Sequence, residues 1–334
     1  MKVYLGGIAL SYVESGEGAP LLMLHGITSS AAFFQEQIDF FSDRYRVIAL
    51  DFRGHGRSDV PKDGYTIEQF AKDVKDVLDV LKISCPVVLC HSLGCAVVWE
   101  FLSLFGNDHP LGKLIMVDQS PCILRQPWFT DAEAKQAGST MSELVQIQGM
   151  VEWFQSQTTI DQARAVVKGW APNACNDRIE LLAKDFLTMP RDGRLLSLFW
   201  DNAVHDWRAR IQSIKNKTLV VGGEHSFVPK ESQQWIANCI PRATLKVYPA
   251  NHFVFTGCAV DFNKDVLDFI NNGETNNGPS VFSERGRFRV CCFVFHRLQH
   301  FNSHLAFSLP RLRDTQGCCR LLCCGLRANA LYRV

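Results

Sequence analysis

VVLCHSLGCAV, Val87 to Val97, is a β-type run that breaks at one serine and continues as a stretch suited to a helix. A strand that turns into a helix at a single residue brings two backbones together, so small residues are needed two positions before and two after the turn. Cys90 and Gly94 hold those positions. The turn strains the backbone and sets the Ser92 hydroxyl between strand and helix, where a nucleophile is useful. A serine between strand and helix also suits a plainer task, capping the helix.

Upstream, LLMLHGITSS places His25 and Gly26 at the end of another apolar run. Glycine lets the chain turn sharply there and aim a backbone N–H at whatever Ser92 attacks. The residue after the serine, Leu93, offers a second N–H at a helix start. Ile27 and Leu93 are thus the expected oxyanion-hole donors.

The same strand signal recurs along the chain. PLLMLHG, RVIALDFRG, PVVLCHS, KLIMVDQ, TLVVGGE and TLKVYPA are continuous apolar runs, as in strands covered on both faces. Amphipathic stretches separate them, for example TIEQFAKDVKDVLDVLK with Phe70, Val74, Val77, Leu78 and Leu81 on one face. The alternation predicts an α/β fold with a doubly wound, mostly parallel sheet. Between residues 122 and 207 helical patterns follow one another without strands, and five of the seven tryptophans fall there: Trp128, Trp153, Trp170, Trp200 and Trp207. An insertion at that point lies above the carboxyl ends of the strands, where such sheets bind ligands. The expectation is a helical lid, with Trp128, Trp153 and Trp200 as substrate-binding candidates; packing of the lid on the sheet is the alternative for such rings.

Composition limits the partners. The 334 residues are 47% hydrophobic and 21% charged with a net charge of +1, which gives no electrostatic case for nucleic acid or an anionic membrane. No run is long enough to span a bilayer, and the opening MKVYLGGIALSYVESGEG lacks a signal-peptide core. The expected partner is a small molecule, the expected compartment the cytoplasm, and no metal or cofactor is called for; the oligomeric state is not legible. Seven cysteines scattered through the first 273 residues suit buried free thiols in a reducing compartment better than a disulfide framework. Six more (Cys291, Cys292, Cys318, Cys319, Cys323 and Cys324) crowd into the last 61, beside nine arginines and no lysine from residue 274 on. Residues 274–334 read as a disordered or aberrant extension, leaving 1–121 and 208–273 as the core and 122–207 as the lid. The terminal LYRV is no peroxisomal address, although a normal terminus replaced by this tail would have room for one.

HGITSS, DFRGHGRSD, CHSLGC and YPANHFVF stand in an order and at distances that resemble the α/β-hydrolase superfamily over about residues 1 to 272. The resemblance implies an eight-stranded sheet with a lid after the sixth strand, and a triad of nucleophile, acid and base. Ser92 falls on the nucleophile and His252, in YPANHFVF, on the general base. Most of the family carries its acid after the seventh strand, but VVGGEHSFVP has Ser226 there, and Glu224 stands two residues too early. A minority takes the acid from the end of the sixth strand. Asp118 in KLIMVDQSP fits that pattern, and a strand-end cap is its plainer role. A serine nucleophile excludes the aspartate-based dehalogenase and epoxide hydrolase chemistry of the fold. The implied activity is an acyl-enzyme hydrolase for an ester, thioester or lactone, similar to enzymes that tailor secondary metabolites. A cofactor-free haloperoxidase (perhydrolase), a C–C hydrolase or lyase, and a catalytically inactive ligand-binding relative are the alternatives.

Overall fold

The computed structural model describes residues 1–272; the 274–334 extension and its six cysteines lie outside the described residues. Eight strands, β1 (Lys2–Leu5), β2 (Ile8–Ser15), β3 (Ala19–Leu24), β4 (Tyr45–Leu50), β5 (Val87–His91), β6 (Leu114–Val117), β7 (Thr218–Gly223) and β8 (Ala243–Tyr248), form one sheet in the order β1-β2-β4-β3-β5-β6-β7-β8. β1 and β2 pair antiparallel, as do β2 and β4. From β4 to β8 the pairing is parallel.

Both faces of the central strands are buried, which explains their unbroken apolar sequences. Met23, Ala49, Leu89 and Val117 point to one core cluster, and Leu22, Leu50, Val88 and Met116 to the other. β8 departs from the expectation of a strand covered on both faces. It is the edge strand, and its cover is partial: Ala243 and Leu245 pack against the second cluster and Tyr248 joins the first, while Thr244, Lys246 and Val247 are exposed.

The first cluster is closed by α1 (Gln35–Phe41) and the second by α2 (Ile67–Val80) and α3 (Leu93–Phe105). α2 starts where the Thr66 hydroxyl accepts the Gln69 N–H at 3.2 Å. It buries Phe70, Val74, Val77 and Leu78 while Glu68 and Lys72 pair on the outside. Each such apolar side chain contributes about 1.5–3 kcal/mol on burial.

Five helices follow β6: α4 (Asp131–Ala137), α5 (Leu144–Ser156), α6 (Ile160–Trp170), α7 (Asn176–Thr188) and α8 (Gly193–Val204). Reciprocal capping boxes, Thr130 with Glu133 and Thr159 with Gln162, begin α4 and α6. The two ends of the insertion are tied together, since the Trp207 N–H donates to the Pro121 carbonyl at 2.9 Å. Trp207 belongs to the sheet core, where it packs on Trp99, and is no part of a lid lining. α9 (Arg208–Ser213) then leads to β7, α10 (Lys230–Cys239) to β8, and α11 (Val254–Gly257) and α12 (Ala259–Asn271) close the described chain.

Of the seven cysteines expected as buried thiols, Cys90, Cys95 and Cys122 are buried while Cys85 and Cys175 are exposed; all seven are free. Among the described residues three histidines are buried: His25, His55 and His91. Burial lowers His25 from the ordinary 6.5 to about 4 and His55 to about 3, and also pushes His91 down. Burial raises two carboxyls, Asp51 and Asp185.

Two outcomes are expected. The carbonyls ending α12 are already met from the core: Lys113 Nζ donates to the Ile270 carbonyl at 2.6 Å and Lys217 Nζ to that of Asn272 at 2.7 Å. A chain ending at Gly273 should therefore melt within about 2 °C of the full chain, a shift worth less than 1 kcal/mol; a large drop in melting temperature contradicts this boundary. In acid, each depressed histidine is protonated in the unfolded chain before the folded one. Stability is complete above about pH 6.5 and declines toward the folded values at up to about 1.4 kcal/mol per pH unit and histidine. The raised Asp51 and Asp185 act in the opposite sense. Urea midpoints should fall between about pH 7 and pH 5, and a flat or rising profile would show that the histidines do not outweigh the two carboxyls.

Candidate active site

The parallel register brings the ends of β3, β5 and β6 side by side, with Leu24 opposite Cys90 and His91 opposite Val117. Three chain reversals follow, and each contains a residue with positive φ that is not glycine: Thr28 at 61°, Ser92 at 51° and Asp118 at 56°. Such conformations cost about 1–3 kcal/mol apiece and persist only where the surroundings enforce them.

At the central reversal β5 ends at His91 and α3 begins at Leu93, leaving Ser92 alone in the turn. A Cβ on Gly94 would meet the Leu24 carbonyl oxygen at 2.4 Å, so α3 approaches β3 this closely only with glycine there. Cys90 fills the other small position with its thiol directed at the Ile115 carbonyl, 3.5 Å away, and is completely buried. Ser92 is 9% exposed.

Across from Ser92, a Cβ on Gly26 would come within 3.0 Å of Ser92 Cβ, which shows how closely the loop after β3 passes. His25 orients that loop. Its Nε2 accepts the Phe52 N–H at 3.1 Å, so Nδ1 carries the proton and donates to the Gly26 carbonyl at 2.7 Å. In a trans peptide the Ile27 N–H points opposite to the Gly26 carbonyl, away from the His25 ring. The Leu93 N–H is the first of α3, and first-turn N–H groups have no carbonyl partner within the helix. At the far end of the loop the Ala31 N–H donates to Asp51 at 2.7 Å, and the Ser30 hydroxyl to lid residue Asp185 at 2.8 Å.

His252 lies in the loop after β8 with its side chain 12% exposed, and its Nδ1 donates to Asp118 Oδ2 at 2.6 Å. Asp118 is wholly buried. Its other oxygen accepts the Gly223 N–H at 3.1 Å, and Oδ2 also accepts the Ser226 hydroxyl. Glu224 is exposed, and its backbone N–H is bonded to the Tyr248 carbonyl. The His252 carbonyl accepts the His91 Nε2–H at 3.0 Å, tying this loop to the residue before Ser92.

The rings around His252 differ from the tryptophans proposed as substrate-binding. His91, Phe227 and Phe253 approach the imidazole at 4.6, 4.5 and 5.5 Å between centroids. Trp170 stacks on Phe253 at 4.9 Å, and Phe33 and Phe154 extend the group. Trp128 and Trp200 instead face solvent, at 72% and 41% exposed, and Trp153 packs on Phe154 behind this group. The helical insertion is held to the histidine loop by backbone carbonyls: Asn251 donates to that of Gly169 and Thr256 to that of Trp170. Sequence reading passed over His25, His91, Ser226 and Phe227, since His25 and His91 flank motifs and Ser226 stood out only as a missing acid. Among the described residues, no group of three or more His, Cys, Asp or Glu is arranged to hold a metal ion, and no helix is long and apolar enough to cross a membrane.

The arrangement offers a buried hydroxyl on a strained turn, the Gly26 loop passing close beside it, and an imidazole oriented by a carboxylate. Known proteins share the frame. A solved bromoperoxidase from Bacillus anthracis superposes with a TM-score of 0.68 at 19% identity, covering 79% of this chain and 96% of that one. A non-heme chloroperoxidase of Kitasatospora aureofaciens is 25% identical over 79% of this chain and 97% of its own length. A match to 2-(acetamidomethylene)succinate hydrolase of Mesorhizobium japonicum reaches 40% identity but spans 28% of this chain and 34% of that protein. The profile of the alpha/beta hydrolase fold matches residues 19–256. With that span matched and the sheet, elbow and insertion in place, the chain belongs to the α/β-hydrolase family.

Proposed function

We propose that this protein is a serine hydrolase that cleaves an ester, thioester or lactone of a fairly apolar small molecule through an acyl-enzyme on Ser92. The observation that carries the reading is the 2.6 Å bond from His252 Nδ1 to buried Asp118, in a fold whose β5–α3 turn strains Ser92. With Nδ1 protonated and bonded to the carboxylate, Nε2 is the basic nitrogen.

In this scheme His252 Nε2 takes the Ser92 proton as Oγ attacks the substrate carbonyl carbon. The negative charge formed on the carbonyl oxygen is met by the N–H groups of Ile27 and Leu93, donors of a kind worth about 3–4 kcal/mol each in transition-state stabilisation. His252 returns the proton to the departing alcohol, thiol or enolate, and the same steps with water release the acid. Asp118 orients the ring and opposes the imidazolium charge throughout. The aromatic group of Phe33, Phe154, Trp170 and Phe253 favours an apolar acyl portion. Likeness over most of the chain to a non-heme chloroperoxidase supports a second reading, in which hydrogen peroxide replaces water and the acyl-enzyme yields a peracid.

A fluorophosphonate probe should label the purified protein on the peptide containing Ser92, and Ser92→Ala should abolish the label. Folded protein that resists the probe would favour the ligand-binding reading. If labelling is seen, a peroxide-dependent product from an ester substrate would move the assignment to the perhydrolase.

A further inference from the structure

The turn after β7 is built around a carboxylate that it does not itself carry. Asp118 leaves β6 with φ of 56°, its backbone N–H donating to the Val221 carbonyl at 2.8 Å, and its side chain lies beside the end of β7. There the Gly223 N–H donates to Oδ1 at 3.1 Å and the Ser226 hydroxyl to Oδ2. The direction of the Ser226 proton is settled by its other contact. Oγ accepts the Val228 N–H at 3.0 Å, so its single hydrogen is directed to Asp118. A Cβ on Gly223 would strike the Asn251 carbonyl oxygen at 2.5 Å, so the bare backbone that holds the carboxylate also leaves space for the loop bearing His252.

We infer that Ser226 is a positioning residue for the reaction: with the Gly223 N–H it forms a two-point cradle that holds Asp118 in place to orient His252. The inference rests on the reading of Asp118 as the triad acid. Oδ2 receives two hydrogen bonds, one from Ser226 and one from His252, and a carboxylate without the Ser226 bond would be free to rotate out of line with the imidazole. Ser226 also stands close enough to Asp118 Oδ2, itself 2.6 Å from His252 Nδ1, that a carboxylate at position 226 would reach the imidazole.

The test compares kcat/KM for an activated ester in Ser226→Ala, Ser226→Thr, Asp118→Asn and the double variant Asp118→Asn with Ser226→Asp. Thermal melting checks that each variant is folded. Loss of the hydroxyl should lower kcat/KM about 10- to 100-fold, the range for a hydrogen bond to a charged group. Threonine, which keeps the donor, should restore most of it. The double variant should exceed Asp118→Asn by at least about tenfold, against the roughly 10⁴-fold loss that removal of a triad acid brings. A merely structural serine would show its loss in melting temperature rather than in kcat/KM, and rescue by aspartate at position 226 reports that this position reaches the imidazole beside position 118. An active Asp118→Asn would remove the triad reading itself. An inactive Asp118→Asn accompanied by a fully active Ser226→Ala and no rescue would overturn the cradle and leave the triad standing.

Discussion

Parallel pairing in one register is the constraint from which the site follows. β3, β5 and β6 end together, so the three reversals after Leu24, His91 and Val117 fall within reach of one another without any long loop. Each reversal holds its key residue in the left-handed region, and the backbone cost is borne by two apolar cores packed against opposite faces of the sheet. Gly94 is where this constraint is tightest, because α3 meets the Leu24 carbonyl there. The strain at Ser92 and the closeness of the Gly26 loop are consequences of the same approach.

Polar groups around the site are paired so that each fixes another's direction. The two ring nitrogens of His25 read the Phe52 N–H and the Gly26 carbonyl, and that turns the Ile27 N–H the other way. His91 holds the His252 carbonyl, Asp118 holds the His252 ring, and Gly223 and Ser226 hold Asp118. Burial disfavours the protonated ring at His25 and His91, and His91 stands beside His252 at 4.6 Å between centroids. The helical insertion enters the same network through Asp185 on Ser30 and through Trp170 on Phe253.

Much of this was legible because it is local. The apolar runs gave β3 to β7 as buried strands, and the turn at Ser92 could be read from Cys90 and Gly94 alone. β8 was legible as a strand but not as an edge, since a single chain carries no signal for which strand lacks a neighbour. The tryptophans show a second limit: Trp128 and Trp170 look alike in sequence, and only the docking of α6 on the histidine loop sends one to the site and leaves the other in solvent. Ser226 shows a third. Its meaning depends on Asp118, 108 residues away, and from its own neighbourhood it reads only as a missing acid.

The central claim is that the carboxylate working on His252 comes from the end of β6. The most direct measurement is kcat/KM for an activated ester in Asp118→Asn beside Glu224→Gln. Activity should fall by up to about 10⁴-fold in the first and change little in the second, because Glu224 is exposed and the imidazole Nδ1 is bonded to Asp118. Full activity in Asp118→Asn with a collapse in Glu224→Gln would contradict that claim.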